Sequence, residues 1–301
     1  MRRRDFMKIS GSGAAGLLAA GAFSPFSPAL AATLRPDLVV AHGPQPDRAT
    51  RAAIEAMGGM KAFISKGDVV VIKPNIGWDR TPEQAADTNP VVVATLVALC
   101  LEAGAKTVKV FDRPCNDPRR CYIQSGIEPL AKAAGADVSH VDDRKFREVA
   151  IPKGEAIKSW PLYIDVLEAD KIINVPIAKH HGLSRLTLSF KNWMGVMGGT
   201  RGRIHQNIHE TLVDLSTVIR PTLVVLDAVR ILTANGPQGG DLKDVKKLDT
   251  IIAGVDQVAV DSYGATLFGL KGSELGVVAA AHRRGIGPVD LDKLLIRKIE
   301  A

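Results

Sequence analysis

The sequence predicts an α/β fold: a largely parallel sheet with helices on both faces. Two observations carry this expectation. Apolar strand signals alternate with capped helical stretches along most of the chain, which is the order that builds parallel sheets through helical crossovers. In addition, Asp68-Val-Val-Val-Ile-Lys73 is apolar without alternation, as in a strand covered on both faces. A more polar stretch, Lys145–Pro161, could hold a strand pair and marks a candidate boundary between two lobes.

In chain order, Asp37–Ala41 reads as a short strand, and Asp47 caps a helix through Met57 that Gly58-Gly59 ends. The Asp68–Lys73 strand is followed by Asn89-Pro90, an N-cap with proline at the first helical position, which opens a helix to Ala103. Thr107–Phe111 is a strand, Gly126–Ala134 a helix and Asp137–Val141 a strand. Beyond the polar stretch, Lys171–Val175 is a strand, and Leu186–Met197 and Arg203–Ile219 are expected to be helical. Thr222–Ala228 and Thr250–Gly254 are strands, Asp256 caps a helix to Phe268, and Ser273 caps another to Arg284.

The N-terminus carries an address. Arg3-Arg4-Asp5-Phe6-Met7-Lys8 matches a twin-arginine export signal; small apolar residues follow from Ile9 to Phe23, and Ala29-Leu30-Ala31 offers a cleavage site. Residues 1–31 are therefore expected to be a signal peptide read by the twin-arginine translocase. Residues 32–301 are expected to be a single α/β domain, exported folded to the periplasm. The signal would remove about three of the seven net positive charges. The remaining cations are scattered singly, so nucleic-acid binding is disfavoured while a pocket for a small anionic molecule stays open. No stable membrane span is expected after cleavage. Of the three cysteines, Cys100 lies in an apolar run, and Cys115 and Cys121 share a polar loop where a disulfide is the simplest expectation in an oxidising compartment. Their spacing matches no common zinc or iron–sulfur pattern.

Ligands of parallel α/β sheets bind beyond the carboxyl ends of the strands. Polar residues follow those ends here: Lys73, Asn75 and Trp78; Asp112, Arg113 and Cys115; Lys179, His180 and His181; Asp227 and Arg230. A lysine ending an apolar run is costly to bury unless its amine meets an anion or a carboxylate. Lys179-His180-His181-Gly182 reads as a glycine-ended turn. The segment from Asn192 to Arg201 is rich in glycine, whose freed N–H groups beside guanidinium suit phosphate or carboxylate. It lacks the spacing of the nucleotide-binding glycine motifs. His205 and His209 are four apart, the helical spacing at which two imidazoles can share a metal; Gln206 stands where zincins carry glutamate. Asn235-Gly-Pro-Gln-Gly-Gly-Asp241 is a flexible loop or a lid. Asp256 has the role of a cap, and Asp261 that of a partner for a neighbouring cation.

Lys73-Pro-Asn75, the Lys179-His-His stretch, Ser189-x-Lys-Asn192-x-Met-Gly195, His205, Asp227, the Asn-Gly-Pro-x-x-Gly-Asp241 loop and Asp256-x₄-Asp261 occur together in one order. In that order they resemble the family of the domain of unknown function numbered 362, over nearly the whole chain beyond the signal. The resemblance implies a fold and a site, and no reaction. Relatives often carry an added ferredoxin-like segment with closely spaced cysteines; this chain resembles the exported branch without it, and no iron–sulfur cluster is expected from its three cysteines. The leading expectation is a metal- or cofactor-assisted enzyme for a small anionic substrate. Lys73, Lys179, Lys191 and Arg201 would hold the anion, and Asn75 and Asn192 would orient it. His180 or His205 would transfer a proton, and Asp227 would orient a histidine or help hold a metal. A divalent metal on His205 and His209 is the candidate cofactor. The alternative is a non-catalytic periplasmic protein that binds a metal or ligand, or an accessory redox protein using Cys115 and Cys121.

Overall fold

A computed structural model describes residues 35–301 of the chain. The expected export signal, residues 1–31, lies outside the described residues. The first half alternates as expected: β1 (Leu38–His42), α1 (Pro46–Ala56), β2 (Val69–Pro74), α2 (Pro90–Glu102), β3 (Thr107–Val110), α3 (Pro118–Gln124), α4 (Ile127–Ala133) and β4 (Asp137–Val138). A separate hairpin of β5 (Phe146–Ala150) and β6 (Ser159–Tyr163) follows, then α5 (Ile164–Glu168). The second half runs β7 (Lys171–Val175), β8 (Ile177–His181), β9 (Arg185–Thr187), α6 (Ser189–Asn192), α7 (Ile208–Ser216), β10 (Leu223–Leu232), β11 (Val245–Gly254), α8 (Gln257–Thr266), α9 (Gly276–Arg283) and β12 (Ile296–Glu300).

Ten strands form the main sheet. Its path is β12-β1-β11-β10-β7-β2-β3-β4, with β8 paired to β10 and β9 to β8. From β10 to β4 neighbouring strands are parallel. β11 runs antiparallel to both β1 and β10. The expected mixed α/β architecture with a mostly parallel sheet is therefore present, and its parallel wing is the part that carries the polar strand ends.

Alternation divides each strand between two apolar layers. Val70 and Ile72 pack with α1, α2 and α4, whereas Val71 faces the layer of α7, α8 and α9. β10 splits the same way, with Leu223 and Val225 on one side and Val224 and Leu226 on the other. Lys73 has the parity of Val71, so it emerges on the side where α6 lies. Two of the four expected caps are present: Asn89 Oδ1 accepts from Val91 N at 2.9 Å, and Asp256 Oδ1 accepts from Ala259 N at 2.9 Å. Asp47 instead lies inside α1, whose N-cap is Gln45, and Ser273 lies in a 3₁₀ turn ahead of α9, whose N-cap is Leu275.

The structure corrects two expected helices. Leu186–Met197 is instead strand β9, the four-residue α6 and a 3₁₀ turn over Trp193–Val196. Leu186, Thr187 and Leu188 are all buried, which strand pairing to β8 satisfies better than an amphipathic helix. Arg203–Ile219 begins as 3₁₀ turns over Arg201–Asn207 and becomes α-helical only at Ile208. The expected lobe boundary coincides with the β5–β6 hairpin, yet residues 35–301 form one compact unit. Tyr163 of the hairpin packs on Phe111 at the end of β3, with ring centroids 4.7 Å apart.

Candidate active site

At the carboxyl ends of β2 and β3 and along β8 lies a cleft of about 350 Å³. Its floor is a buried ion pair. Lys73, 1% exposed, places Nζ 2.8 Å from Asp112 Oδ1 and donates to Asn192 Oδ1 at 2.9 Å. Asp112, 2% exposed, also accepts from the backbone N–H groups of Ile76 at 2.6 Å and Arg113 at 2.9 Å. Burial pulls the Lys73 ammonium down from its ordinary value, and Asp112 acts in the opposite sense. Asn192 knits three elements together: its Nδ2 donates to the Lys73 carbonyl at 3.0 Å and to Asn174 Oδ1 of β7 at 2.8 Å. Glycine is required at 195, because a Cβ there would stand 1.6 Å from Asp112 Oδ1. The glycine-rich segment thus gains close backbone approach to an internal ion pair.

Lys179 of β8, 1% exposed, donates to Asn75 Oδ1 at 3.1 Å and to the Ala86 carbonyl. Its burial lowers the ammonium pKa while the buried carboxyl of Asp87 is raised by its own desolvation. Lys191 is set differently. It projects from α6, whose first N–H groups, on Ser189 and Phe190, donate to Asp261 at 2.8 and 3.2 Å. Among the described residues its Nζ has only the thioether of Met194 as a polar contact, at 2.9 Å. Burial, then the charges of Lys179 and Arg201, bring its pKa down to about 7. Arg201 is pinned by carbonyls rather than carboxylates: those of Arg113 at 2.6 Å, Pro114 at 2.8 Å and Met194 at 3.1 Å. Its Nη2 also reaches Cys115 Sγ at 3.5 Å.

Two histidines line the same cleft. His181 Nδ1 accepts from the N–H groups of Leu183 at 3.1 Å and Ser184 at 3.3 Å, which puts the proton of the neutral ring on Nε2. Burial, with Lys191, His205 and Lys179 nearby, pulls its pKa down to about 3, so the ring stays neutral at physiological pH. His205 makes the complementary choice: Nδ1 donates to the Gly202 carbonyl at 2.9 Å, leaving Nε2 free. The two rings stack with centroids 6.0 Å apart.

All six residues expected to bind the anion, Lys73, Asn75, Lys179, Lys191, Asn192 and Arg201, line this one cleft, and His205 joins them. Four other expectations are corrected. His180 does not face the cleft. The expected turn is strand β8, whose alternation sends Lys179 and His181 to one side, while His180 Nδ1 accepts from Gly236 N at 3.1 Å. Asp227 is fully buried away from the cleft; it accepts from Asn89 N at 2.7 Å and Val229 N at 2.9 Å, and burial pushes its pKa up to about 6. The His205–His209 pair is not formed, because 3₁₀ winding advances about 120° per residue and turns positions four apart away from each other. His209 packs instead against Gly276 at the start of α9. Cys115 and Cys121 are separate thiols: Cys115 is exposed on the cleft wall, and Cys121 is buried on α3 among apolar side chains. Among the described residues no group of three or more His, Cys, Asp or Glu is arranged to hold a metal ion.

Sequence reasoning marked His181, Asp112 and Arg113 among the polar residues at strand ends, and Gly195 within a motif, without giving any of them a role. His181 was readable only by treating Ile177–His181 as a strand. Lys73 signalled that some anion or carboxylate must meet it, and the placing of β3 beside β2 makes that group Asp112.

Comparison with known proteins bears on the family. The model of the "Domain of unknown function (DUF362)" matches residues 70–266, a span containing every residue that lines the cleft. The thylakoid-associated protein sll1697 of Synechocystis sp. is 29% identical over 246 residues, which cover 79% of this chain and 74% of that protein. The lactate racemase apoprotein of Thermoanaerobacterium thermosaccharolyticum aligns with a TM-score of 0.45 and 10% identity, over 70% of this chain and 55% of that one. The chain thus spans about half the length of that solved structure. With two-thirds of its residues inside the matched span, this chain belongs to the DUF362 family.

Proposed function

We propose that the cleft binds a small anion, a carboxylate or a phosphate ester, and that the protein is an exported enzyme which moves a proton on that substrate. One observation carries the reading. The residues lining the cleft include five cationic side chains, Lys73, Arg113, Lys179, Lys191 and Arg201, and one carboxylate, Asp112. That carboxylate is already paired with Lys73. The remaining cations share a concave, partly desolvated space in which their field is weakly screened, and an anion would relieve their mutual repulsion.

Lys191, with no oxygen partner among the described residues, and Arg201, whose partners are carbonyls and a thiol rather than a carboxylate, would carry the charge contact, with Lys179 behind them. Lys73, Asn75 and Asn192 would hold the floor rigid. His181 would donate a hydrogen bond from Nε2 to an oxygen of the substrate, and His205 would accept a proton at Nε2. No step uses a metal. The twin-arginine pattern supports a periplasmic setting for this chemistry.

The test has two parts. Small carboxylates or inorganic phosphate should raise the melting temperature of the wild-type protein in proportion to the logarithm of their concentration, and should do so much less in Arg201→Ala. For a bound carboxylate, the proton on the adjacent carbon should exchange with solvent deuterium in an enzyme-dependent way. Stabilisation without exchange for any of the carboxylates that bind would reduce the protein to a binding module. No stabilisation by any small anion would reject the reading altogether.

A further inference from the structure

We propose that Lys191 is a nucleophilic amine that forms an imine with the carbonyl carbon of a 2-oxo acid, whose carboxylate is held by Arg201 and Lys179. The proposal rests on the anion-site reading above and names its substrate class. Three lysines line the cleft, and their surroundings separate them. Lys73 Nζ bonds to Asp112 and Asn192, and Lys179 Nζ gives two of its three donors to Asn75 and the Ala86 carbonyl. Among the described residues Lys191 Nζ alone of the three has no oxygen partner, and meets Met194 Sδ. A lone pair on that nitrogen would be open to the cleft.

The amine is also held in place. Its helix is anchored at one end by Asp261, which accepts from Ser189 N and Phe190 N, and at the other by Asn192, bonded to β2 and β7. Nearby cations and partial burial favour the uncharged amine near neutral pH, the usual device for making a lysine nucleophilic. These same cations would position a carboxylate beside it. A 2-oxo acid carries its electrophilic carbon next to its carboxylate, so a molecule anchored by Arg201 presents that carbon within the cleft.

The step balances without an oxidant or reductant. The amine lone pair forms the C–N bond as the carbonyl π pair moves onto oxygen. Both amine protons end on that oxygen, the C–O bond breaks, and water leaves. His205 Nε2 can relay the protons, and His181 Nε2–H can stabilise the developing alkoxide.

The experiment incubates the wild-type protein with pyruvate, glyoxylate or phenylpyruvate in the presence of cyanoborohydride, and maps the reduced adduct by peptide mass. In parallel, calorimetry measures binding of the same acids and of propionate, which has no carbonyl. Adduct on the Lys191 peptide, lost in Lys191→Arg although that variant unfolds as cooperatively as the wild type, is the expected result. Binding of the oxo acids without any adduct would overturn the imine and leave the anion site standing. Adduct on Lys73 or Lys179, or a yield unchanged in Lys191→Arg, would overturn it equally. Failure of all these acids to bind would remove the anion site and the imine together.

Discussion

Lys73 and Lys191 open onto the same cleft, yet their surroundings give them opposite tasks. Lys73 is buried against Asp112 at 2.8 Å, and removing one partner of such a pair leaves an uncompensated charge. Lys73→Ala should therefore lower unfolding stability by about 3–5 kcal/mol, read as a shifted urea midpoint. Lys191→Ala should change stability by less than about 1 kcal/mol, since its ammonium has no carboxylate partner to strand. Equal losses in the two variants would contradict this division of labour. The pH dependence separates two roles of Lys191. Groups facing it are Lys179 of β8, Arg201 and His205 of the 3₁₀ segment, His181 at the end of β8, and Cys115. Lys191 is protonated below about 7 and neutral above it. Affinity for propionate should then fall as pH rises through about 7, whereas the rate of imine trapping should rise over the same interval. In Lys191→Arg the step near 7 in propionate affinity should disappear; a step that persists would reject Lys191 as its source. The rule-breaking lysine at the end of an apolar run was legible in the sequence. Its partner Asp112 was not, because the pairing depends on which strand lies beside β2.

At the scale of elements, β8 decides which histidine faces the cleft. In Ile177-Ala-Lys-His-His181 the strand period puts His181 beside Lys179 and sends His180 toward the Gly236 segment. Replacing His181 with Ala should weaken binding of a small carboxylate by roughly tenfold, the worth of one neutral hydrogen bond. His180→Ala should have a much smaller effect, through the loop alone. Calorimetric titration of the two variants checks this, and the reverse order would contradict it. The sequence marked both histidines and favoured His180, which faces away from the cleft, since a glycine after them suggested a turn. Short elements explain the other failures. α6 has four residues and β9 three, too few for periodicity to register, and the 3₁₀ segment over Arg201–Asn207 looks helical by composition while spoiling the spacing of His205 and His209. Long elements such as α2, with its Asn89 cap and Pro90, were legible to within a residue at both ends.

Over the whole molecule, the alternation of strand and helix signals reported the parallel wing, and that wing supplies the strand ends on which the cleft is built. The antiparallel edge was hidden. β11 follows β10 through a loop of twelve residues without an α-helix, and returns antiparallel. β12 is half exposed and charged, so nothing apolar announced it. Convergence of six anion-binding candidates from four separate stretches of sequence followed from one rule, that ligands sit at the carboxyl edge of parallel strands. The proposed export is a property of the full chain. Changing Arg3 and Arg4 together to Lys should strand the precursor in the cytoplasm, seen by fractionation; unimpaired export of that variant would reject the twin-arginine route.

The claim on which the rest depends is that this cleft is a small-anion site built around Lys191 and Arg201. Calorimetric titration of pyruvate and inorganic phosphate into the wild-type protein, Lys191→Ala and Arg201→Ala tests it most directly. Saturable binding of at least one of them to the wild type at one site per chain, weakened tenfold to a hundredfold in either variant, is the predicted result, corresponding to about 1.5–3 kcal/mol per charged contact. A wild-type protein that binds neither anion, or variants that bind as tightly as the wild type, would contradict it.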